Sequence, residues 1–166
     1  MHNEGGPVKI LFDPEIPFGA KLRSARLQNH PIAATLDPHS QDTHARMEFD
    51  LPHGDAVLTI EYTGGVVIVP QQPEVKIGEP SEGIKITKVG LQGQVYTVDF
   101  DYLPSPAASF GLRTPWRIQD AQRATFEATS SNWYRFTVSV PANEKNKRAY
   151  QHGKVTVFFA ANRVPR

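Results

Sequence analysis

Proline and glycine interrupt this chain at short intervals, and the segments between them alternate apolar and polar residues. The 166 residues include 14 prolines and 12 glycines. Between these lie segments of about 5 to 9 residues with a two-residue period, which is the pattern of short β-strands that bury one face. No segment keeps a helical period of 3.6 residues over three turns. The sequence therefore predicts an all-β protein of antiparallel strands packed as β-sandwiches, Ig-like or jelly-roll-like in type.

Several of these segments have a face that can be assigned to the core. Residues 44–51 and 55–62 each have an alternating apolar row, and residues 52–55 (PHGD) between them carry a turn signal. These two segments are predicted to form a β-hairpin. The large apolar residues on the inward rows are predicted to form the core, foremost Phe49, Ile60, Phe100 and Phe136.

One stretch of the sequence resembles another further along the chain. Residues 19–36 read GAKLRSARLQNHPIAATL, and residues 83–100 read GIKITKVGLQGQVYTVDF. Aligned without a gap, they share Gly, Lys, Leu and Gln at matching places, and in both the apolar parity changes at the same point. Such a change indicates a β-bulge or a strand that crosses between sheets. The similarity predicts two tandem β-sandwich units, residues 7–70 and 73–162, joined by a short stiff connector at residues 70–73.

Charge and hydropathy exclude several classes of partner. The formal net charge is +1, whereas a protein that binds nucleic acid through its phosphates usually has a strong basic excess. The densest basic run, residues 145–148 (KNKR), lies in a polar stretch and is interpreted as a solvated loop. No apolar run approaches the ~18 residues of a membrane helix. The sequence thus indicates neither a nucleic-acid nor a membrane partner.

The absence of cysteine and the polar start bear on the compartment. With no cysteine in the chain, disulfides, thiolate chemistry and cysteine zinc sites are excluded. Residues 1–6 (MHNEGG) lack the apolar core of a signal peptide. The short polar start favours a region cut from a longer secreted chain over a cytoplasmic protein. The predicted localisation is therefore extracellular or periplasmic.

Residues 37–44 (DPHSQDTH) contain the densest cluster of potential metal ligands. His39, Asp42 and His44 would suit a transition metal such as zinc, because imidazole and carboxylate are its usual ligands. Asp37 and Asp42, with backbone carbonyls, would suit calcium. The alternative that the sequence favours is a polar loop in which aspartate and proline supply turn geometry. No cofactor is therefore predicted, with calcium kept as the alternative.

No catalytic motif is present in the sequence. It contains no nucleophile elbow, phosphate-binding loop or metalloprotease helix motif. Asp99 and Asp101 could divide acid and base roles, but two acids on one face of a strand are usually its solvent side. A triad of distant residues would leave no sequence pattern, so enzymatic activity stays open. A non-catalytic protein with no catalytic residues is favoured.

Trp133 is the most suggestive single residue. The alternation that buries Tyr134 and Phe136 places Trp133 outward, on the same face as Arg135 and Thr137. An exposed indole beside hydrogen-bonding side chains is a common platform for a sugar ring. The alternative is that Trp133 begins its strand and covers a loop or the other unit. The sequence predicts Trp133, Arg135 and Thr137 as a carbohydrate-binding set, and it places the other tryptophan, Trp116, mostly in the core.

Residues 19–32 (GAKLRSARLQNHPI) resemble a segment of the accessory β-sandwich domains of bacterial glycoside hydrolases, in which a strand leads into a tight turn of the form L-N-G-x-P-V. This chain departs from that pattern at His30, where glycine is usual. The resemblance implies an accessory or carbohydrate-binding region of a bacterial polysaccharide-processing enzyme. A polysaccharide and an attached catalytic domain would then be its partners. The alternative function is an Ig-like protein-interaction or spacer module of a bacterial surface protein.

Overall fold

The computed structural model of the protein describes residues 1–71, 77, 83–103, 108–139 and 149–161. All regular structure in these ranges is β-strand, and no helix occurs there. It follows that, among the described residues, no helix is long and apolar enough to span a membrane. Every strand pairing is antiparallel, which confirms the predicted all-β class. The chain divides into two compact units, Met1–Gly65 and Val66–Arg166.

The first unit contains two principal sheets. Its strands are β1 (His2–Asn3), β2 (Val8–Phe12), β3 (Glu15–Ile16), β4 (Lys21–Leu27), β5 (His30–Pro31), β6 (Ala34–Pro38), β7 (Thr43–Leu51), β8 (Gly54–Asp55) and β9 (Leu58–Thr63). In one sheet, β7 pairs with β6 along one edge and with β2 and β3 along the other. The other sheet has the order β5-β4-β9, and β1 and β8 form a short two-stranded ribbon.

The core of the first unit lies between these two sheets. The inward row of β7 buries Ala45, Met47, Phe49 and Leu51, as its alternation predicts. They join one cluster with Ala25 and Leu27 of β4 and with partly buried residues of β2, β6 and β9. Because β7 buries one side along its whole length, the polar residues between these positions face solvent.

The second unit is built from two four-stranded sheets. Its strands are β10 (Val67–Pro70), β11 (Lys85–Gln92), β12 (Val95–Tyr102), β13 (Ser109–Arg113), β14 (Ile118–Gln122), β15 (Ala124–Ser130), β16 (Trp133–Val138) and β17 (Gln151–Phe159). One sheet has the order β10-β13-β16-β15 and the other has the order β11-β12-β17-β14. We call the β10-β13-β16-β15 sheet the platform sheet and the β11-β12-β17-β14 sheet the acidic sheet.

Aromatic residues form much of the core of the second unit. In the platform sheet, the rings of Phe110 and Phe136 stack with centroids 4.9 Å apart and planes 2° from parallel. Both rings are 0% exposed. In the acidic sheet, every second residue of β12 is buried, namely Tyr96, Val98, Phe100 and Tyr102. Burial raises the pKa of Tyr96 well above its ordinary value of 10.0, because the phenolate would lose its hydration.

The bulge predicted from the change of apolar parity is present in both similar segments. The register of β4 against β9 shifts between Leu22 and Ser24. The register of β11 against β12 shifts between Ile86 and Lys88. An extra residue in one strand moves the following side chains to the opposite face, which explains why the apolar positions change parity there.

The strands around these two bulges are arranged differently. Both β4 and β11 end in a two-residue turn, at Gln28 and Asn29 in the first segment and at Gly93 and Gln94 in the second. However, β4 lies between β5 and β9, whereas β11 is at the edge of the acidic sheet and pairs with β12. The bulge is therefore common to both segments, but the strand pairing is not, and a tandem repeat remains a prediction.

The predicted hairpin between residues 44–51 and 55–62 is wrong. The strands β7 and β9 belong to different sheets of the first unit, and β8 between them pairs with β1. Residues 52–57, which include β8, carry the chain from one sheet to the other. The apolar rows of β7 and β9 consequently face one shared core, an arrangement that strict alternation fits equally well.

The division between the units falls earlier than the predicted connector. Strand β10 pairs along its whole length with β13 and so belongs to the second unit, whereas the predicted first unit, residues 7–70, includes it. Part of the connector, residues 72 and 73, lies outside the described residues, as does the basic run at residues 145–148. β10 is too short for its own pattern to reveal which sheet it joins.

A glycine in β17 allows close packing in the acidic sheet. Gly153 pairs with Phe100 across β12 and β17. A Cβ atom at position 153 would lie 2.5 Å from Cε2 and 2.6 Å from Cζ of Phe100. The ring thus occupies the space that a side chain at this position would need, and it covers the backbone where the strand has no side chain of its own.

We expect Gly153→Ala to destabilise the protein by about 1–3 kcal/mol, because the added methyl must displace a ring that is closely packed on every side. Gly6→Ala is the matched control, since a Cβ there would meet nothing within 4 Å. Urea unfolding of the two variants measures the difference. Equal unfolding midpoints would show that the Phe100 ring moves aside without cost.

Neighbouring positions of β16 provide a second test of the assigned faces. Phe136→Ala should lower the free energy of unfolding by about 3–5 kcal/mol, because it removes a ring from the Phe110–Phe136 stack and leaves a cavity. Thr137→Ala, on the exposed face of the same strand, should change it by about 0.5 kcal/mol or less. Similar losses in the two variants, measured by denaturant unfolding, would contradict this assignment of faces.

Candidate functional groove beside Trp133

The candidate site lies on the outward face of the platform sheet. Opposite the stacked phenylalanines, one row of cross-strand partners runs from Val69 through Gly111 and Arg135 to Glu127. Strand β10, which carries Val69, forms one edge of the sheet. Since Phe136 is held in the core, the residues on either side of it in β16 point away from the core.

The turn between β15 and β16 positions Trp133 at the start of its strand. Asn132 has a positive φ of 66°, a conformation that asparagine adopts more readily than most residues. Its carbonyl accepts a hydrogen bond of 2.9 Å from the backbone N–H of Thr114. The register of β15 against β16 shifts between Ala128 and Ser130, so the intervening Thr129 is a bulge residue beside the turn.

The indole of Trp133 lies over the backbone of Gly111. A Cβ atom at position 111 would be 3.3 Å from Cζ3 of the indole and 3.7 Å from Cβ of Val69. Gly111 is buried even though it is on the outward face of the sheet, whereas Trp133 is half-buried. The glycine therefore lets the indole lie low against the sheet, with part of its surface left open to solvent.

A shallow groove runs beside the indole. Its volume is about 110 Å³. It is lined by Val69 of β10, Gln71 just after that strand, Gly111 of β13, Thr129 at the bulge, and Trp133, Tyr134 and Arg135 of β16. The groove thus combines one flat aromatic surface, a small aliphatic wall and several side chains that can form hydrogen bonds.

The residues that line the groove include the charged Arg135 and the neutral polar Gln71 and Thr129, and two further polar residues pair with them. The guanidinium of Arg135 is 3.4 Å from Oε1 of Glu127, and both side chains are more than half exposed. An exposed pair of this kind contributes little to stability. Ser109, the cross-strand partner of Thr137, donates a 2.8 Å hydrogen bond to the side-chain oxygen of the lining residue Gln71. Donors and acceptors for a polar ligand are therefore present on the residues that line the groove and on the residues paired with them.

The structure brings together two of the three residues predicted to bind carbohydrate. Trp133 and Arg135 both line the groove. Thr137 is exposed on the same face but lies in the neighbouring cross-strand row, opposite Ser109, and is not among the lining residues. Sequence reasoning missed the residues from other strands, Val69, Gln71, Gly111 and Thr129. A glycine inside a short strand was the one available signal, because it often marks a close approach.

Trp116 and the paired aspartates lie elsewhere in the second unit. Trp116 is half-buried rather than mostly buried, and its ring packs edge-on against Phe159 at a centroid distance of 5.2 Å. On the outward face of the acidic sheet, Asp99 and Asp101 lie opposite Lys154 and His152 of β17.

The candidate metal ligands lie in the first unit. Asp37 ends β6 and His44 lies near the start of β7, where the two are cross-strand partners. His39 and Asp42 are in the turn between these strands, and the side chains of His39, Asp42 and His44 form one group. This cluster belongs to the first unit, whereas the groove belongs to the second.

The sequence and the structure were compared with known proteins. The chain matches no protein-family model, no curated protein and no solved structure.

Gly111→Ala should displace the indole of Trp133 by a few tenths of an ångström, because the added Cβ would be 3.3 Å from Cζ3. We expect a change in near-UV circular dichroism and in tryptophan fluorescence, with the secondary structure retained. Thr125→Ala, on the same sheet face but outside the groove lining, should leave both spectra unchanged. If Gly111→Ala also leaves both unchanged, the indole does not depend on this glycine.

Proposed function

We propose that this protein is a non-catalytic, carbohydrate-binding accessory region of a bacterial polysaccharide-processing enzyme that acts outside the cell or in the periplasm. The observation that carries the proposal is the half-buried indole of Trp133 beside a groove lined with hydrogen-bonding side chains. The resemblance of residues 19–32 to accessory domains of glycoside hydrolases supports the choice of parent protein.

The chemistry of the groove suits a sugar ring better than a fully apolar ligand. A pyranose has an apolar face of C–H groups, which can stack on the exposed part of the Trp133 indole. Its hydroxyls lie around the rim and both donate and accept hydrogen bonds. Among the lining residues, Arg135 supplies donors, and Gln71 and Thr129 can donate or accept. Glu127, which pairs with Arg135 and is not a lining residue, adds acceptors beside it. A ligand that stacks on the indole would reach these groups with its hydroxyls.

The size and shape of the groove favour weak binding. A volume of about 110 Å³ is small beside the ~300–1,000 Å³ of typical small-molecule pockets. Little surface would be buried, and the free energy gained must exceed the entropy lost on association. We therefore expect micromolar to millimolar dissociation constants. Attachment to a catalytic domain would raise the effective affinity, because tethering makes rebinding intramolecular.

The carboxylates that resemble an acid–base pair have an ordinary structural explanation. Asp99 lies 3.4 Å from Nζ of Lys154, and Asp101 lies 3.1 Å from Nδ1 of His152. Each acid thus faces a basic residue directly across the strand pair, as opposite charges on sheet surfaces often do. This pairing supports a non-catalytic protein.

Trp133→Ala should weaken binding to the matching polysaccharide by about tenfold or more, equivalent to ~1.4 kcal/mol, because it removes the stacking surface. A glycan array first identifies the polysaccharide, and affinity gel electrophoresis then compares the variant with the wild type. Arg135→Ala should weaken binding less, since its contacts are exposed to solvent.

Trp116→Phe is the matched control. It changes the other of the two tryptophans, which packs on Phe159 away from the groove. It should leave binding unchanged, and in Trp133→Ala the remaining indole reports that the fold is intact. If no glycan binds, or if Trp133→Ala binds as well as the wild type, the proposal fails and a spacer or protein-interaction module takes its place.

A further inference from the structure

A second cluster of chemically capable side chains lies at one end of the β6–β7 sheet of the first unit. Pro38 and Thr43 are cross-strand partners, and the N–H of His39 donates a 3.0 Å hydrogen bond to the carbonyl of Asp42. This tight turn brings His39, Asp42 and His44 together. One potential ligand atom from each lies within 4.8 Å of the other two.

The fold adds a carboxylate that the sequence cluster did not include. Asp13 lies between β2 and β3, and its Oδ2 is 3.5 Å from Nδ1 of His44. On the other side of the same imidazole, Nε2 is 3.4 Å from Oδ1 of Asp42. Asp37 stands in a similar relation to the other histidine, with its Oδ2 3.6 Å from Nε2 of His39.

Two buried polar atoms of this cluster have charged neighbours at 3.4–3.5 Å but make no hydrogen bond among the described residues. Among the described residues, neither Oδ1 of Asp42 nor Nδ1 of His44 makes a hydrogen bond, although both atoms are shielded from solvent. Leaving such groups unsatisfied is costly, and their presence in a native fold requires an explanation. A cation bound to the carboxylate and the imidazole would satisfy the Asp42 oxygen and would orient the His44 ring.

We propose that His39, Asp42 and His44 bind a divalent transition-metal ion of the zinc class, with Asp13 and Asp37 as outer carboxylates that orient the two imidazoles. A ligand set of two imidazoles and one carboxylate suits zinc. Histidine ligands usually direct their second ring nitrogen at a carboxylate, which is the relation that Asp13 has to His44. Calcium is a poorer fit, because it takes six to eight oxygen ligands.

The ion would act as a cross-link within the first unit. Its ligands lie in the turn between β6 and β7 and near the start of β7, and the contact of Asp13 with His44 would extend the link to the segment between β2 and β3. The chain has no cysteine, so this link would serve where other proteins use a disulfide. Because a bound ion stabilises only the folded state, metal should raise the melting temperature in a concentration-dependent way.

The test uses the whole chain after treatment with EDTA. Calorimetric titration with Zn²⁺ should show one ion bound per chain, and Co²⁺ should give the visible absorption of a low-symmetry site that Zn²⁺ abolishes. Asp42→Asn and His44→Ala should each weaken Zn²⁺ binding at least ~10-fold. Asp13→Asn should weaken it by about 10-fold while keeping one ion per chain, as expected for a residue that orients a ligand.

His152→Ala is the matched control, because His152 also lies between two aspartates, Asp99 and Asp101, but has no second histidine. It should bind Zn²⁺ like the wild type. His39→Ala changes an exposed turn residue and keeps the test valid if His44→Ala fails to fold. The proposal is overturned if the wild type binds no Zn²⁺, if it binds Ca²⁺ instead, or if the cluster variants bind as tightly as His152→Ala.

Discussion

The stack of Phe110 on Phe136 is the contact on which the candidate groove depends. With centroids 4.9 Å apart and planes 2° from parallel, the two rings hold β13 and β16 in one register with their apolar rows inward. Side chains alternate along a strand, so fixing Phe136 inward also fixes Arg135 outward. A slip of one residue would reverse every side chain of β16 and remove the groove.

Close contact between an aromatic ring and a strand glycine occurs on both sheets of the second unit. Phe100 covers Gly153 in the acidic sheet, and Trp133 covers Gly111 in the platform sheet. The first contact lies in the core, where it fills space. The second lies on the surface, where it leaves the indole half-buried and half open to a ligand. The same steric relation therefore serves packing in one sheet and the candidate binding surface in the other.

The sequence predicted the strands and their faces well because those depend on neighbouring residues. Strict alternation in β7 and β12 identified their buried rows, and the change of parity in β4 and β11 identified two bulges. Prediction failed where the choice of partner mattered. Alternation fits any strand that buries one face, whether or not its neighbour in sequence is its partner, so the hairpin between β7 and β9 was wrong.

Each candidate site likewise has a part that the sequence predicts and a part that only the tertiary structure reveals. The sequence alone determined that Trp133 and Arg135 share an outward face and that His39, Asp42 and His44 lie close together, because these residues are near one another along the chain. Only the tertiary structure placed Val69 and Gly111 beside the indole and Asp13 beside His44. Pairing between strands that are distant in sequence depends on how the whole core packs, and no local pattern of residues encodes it.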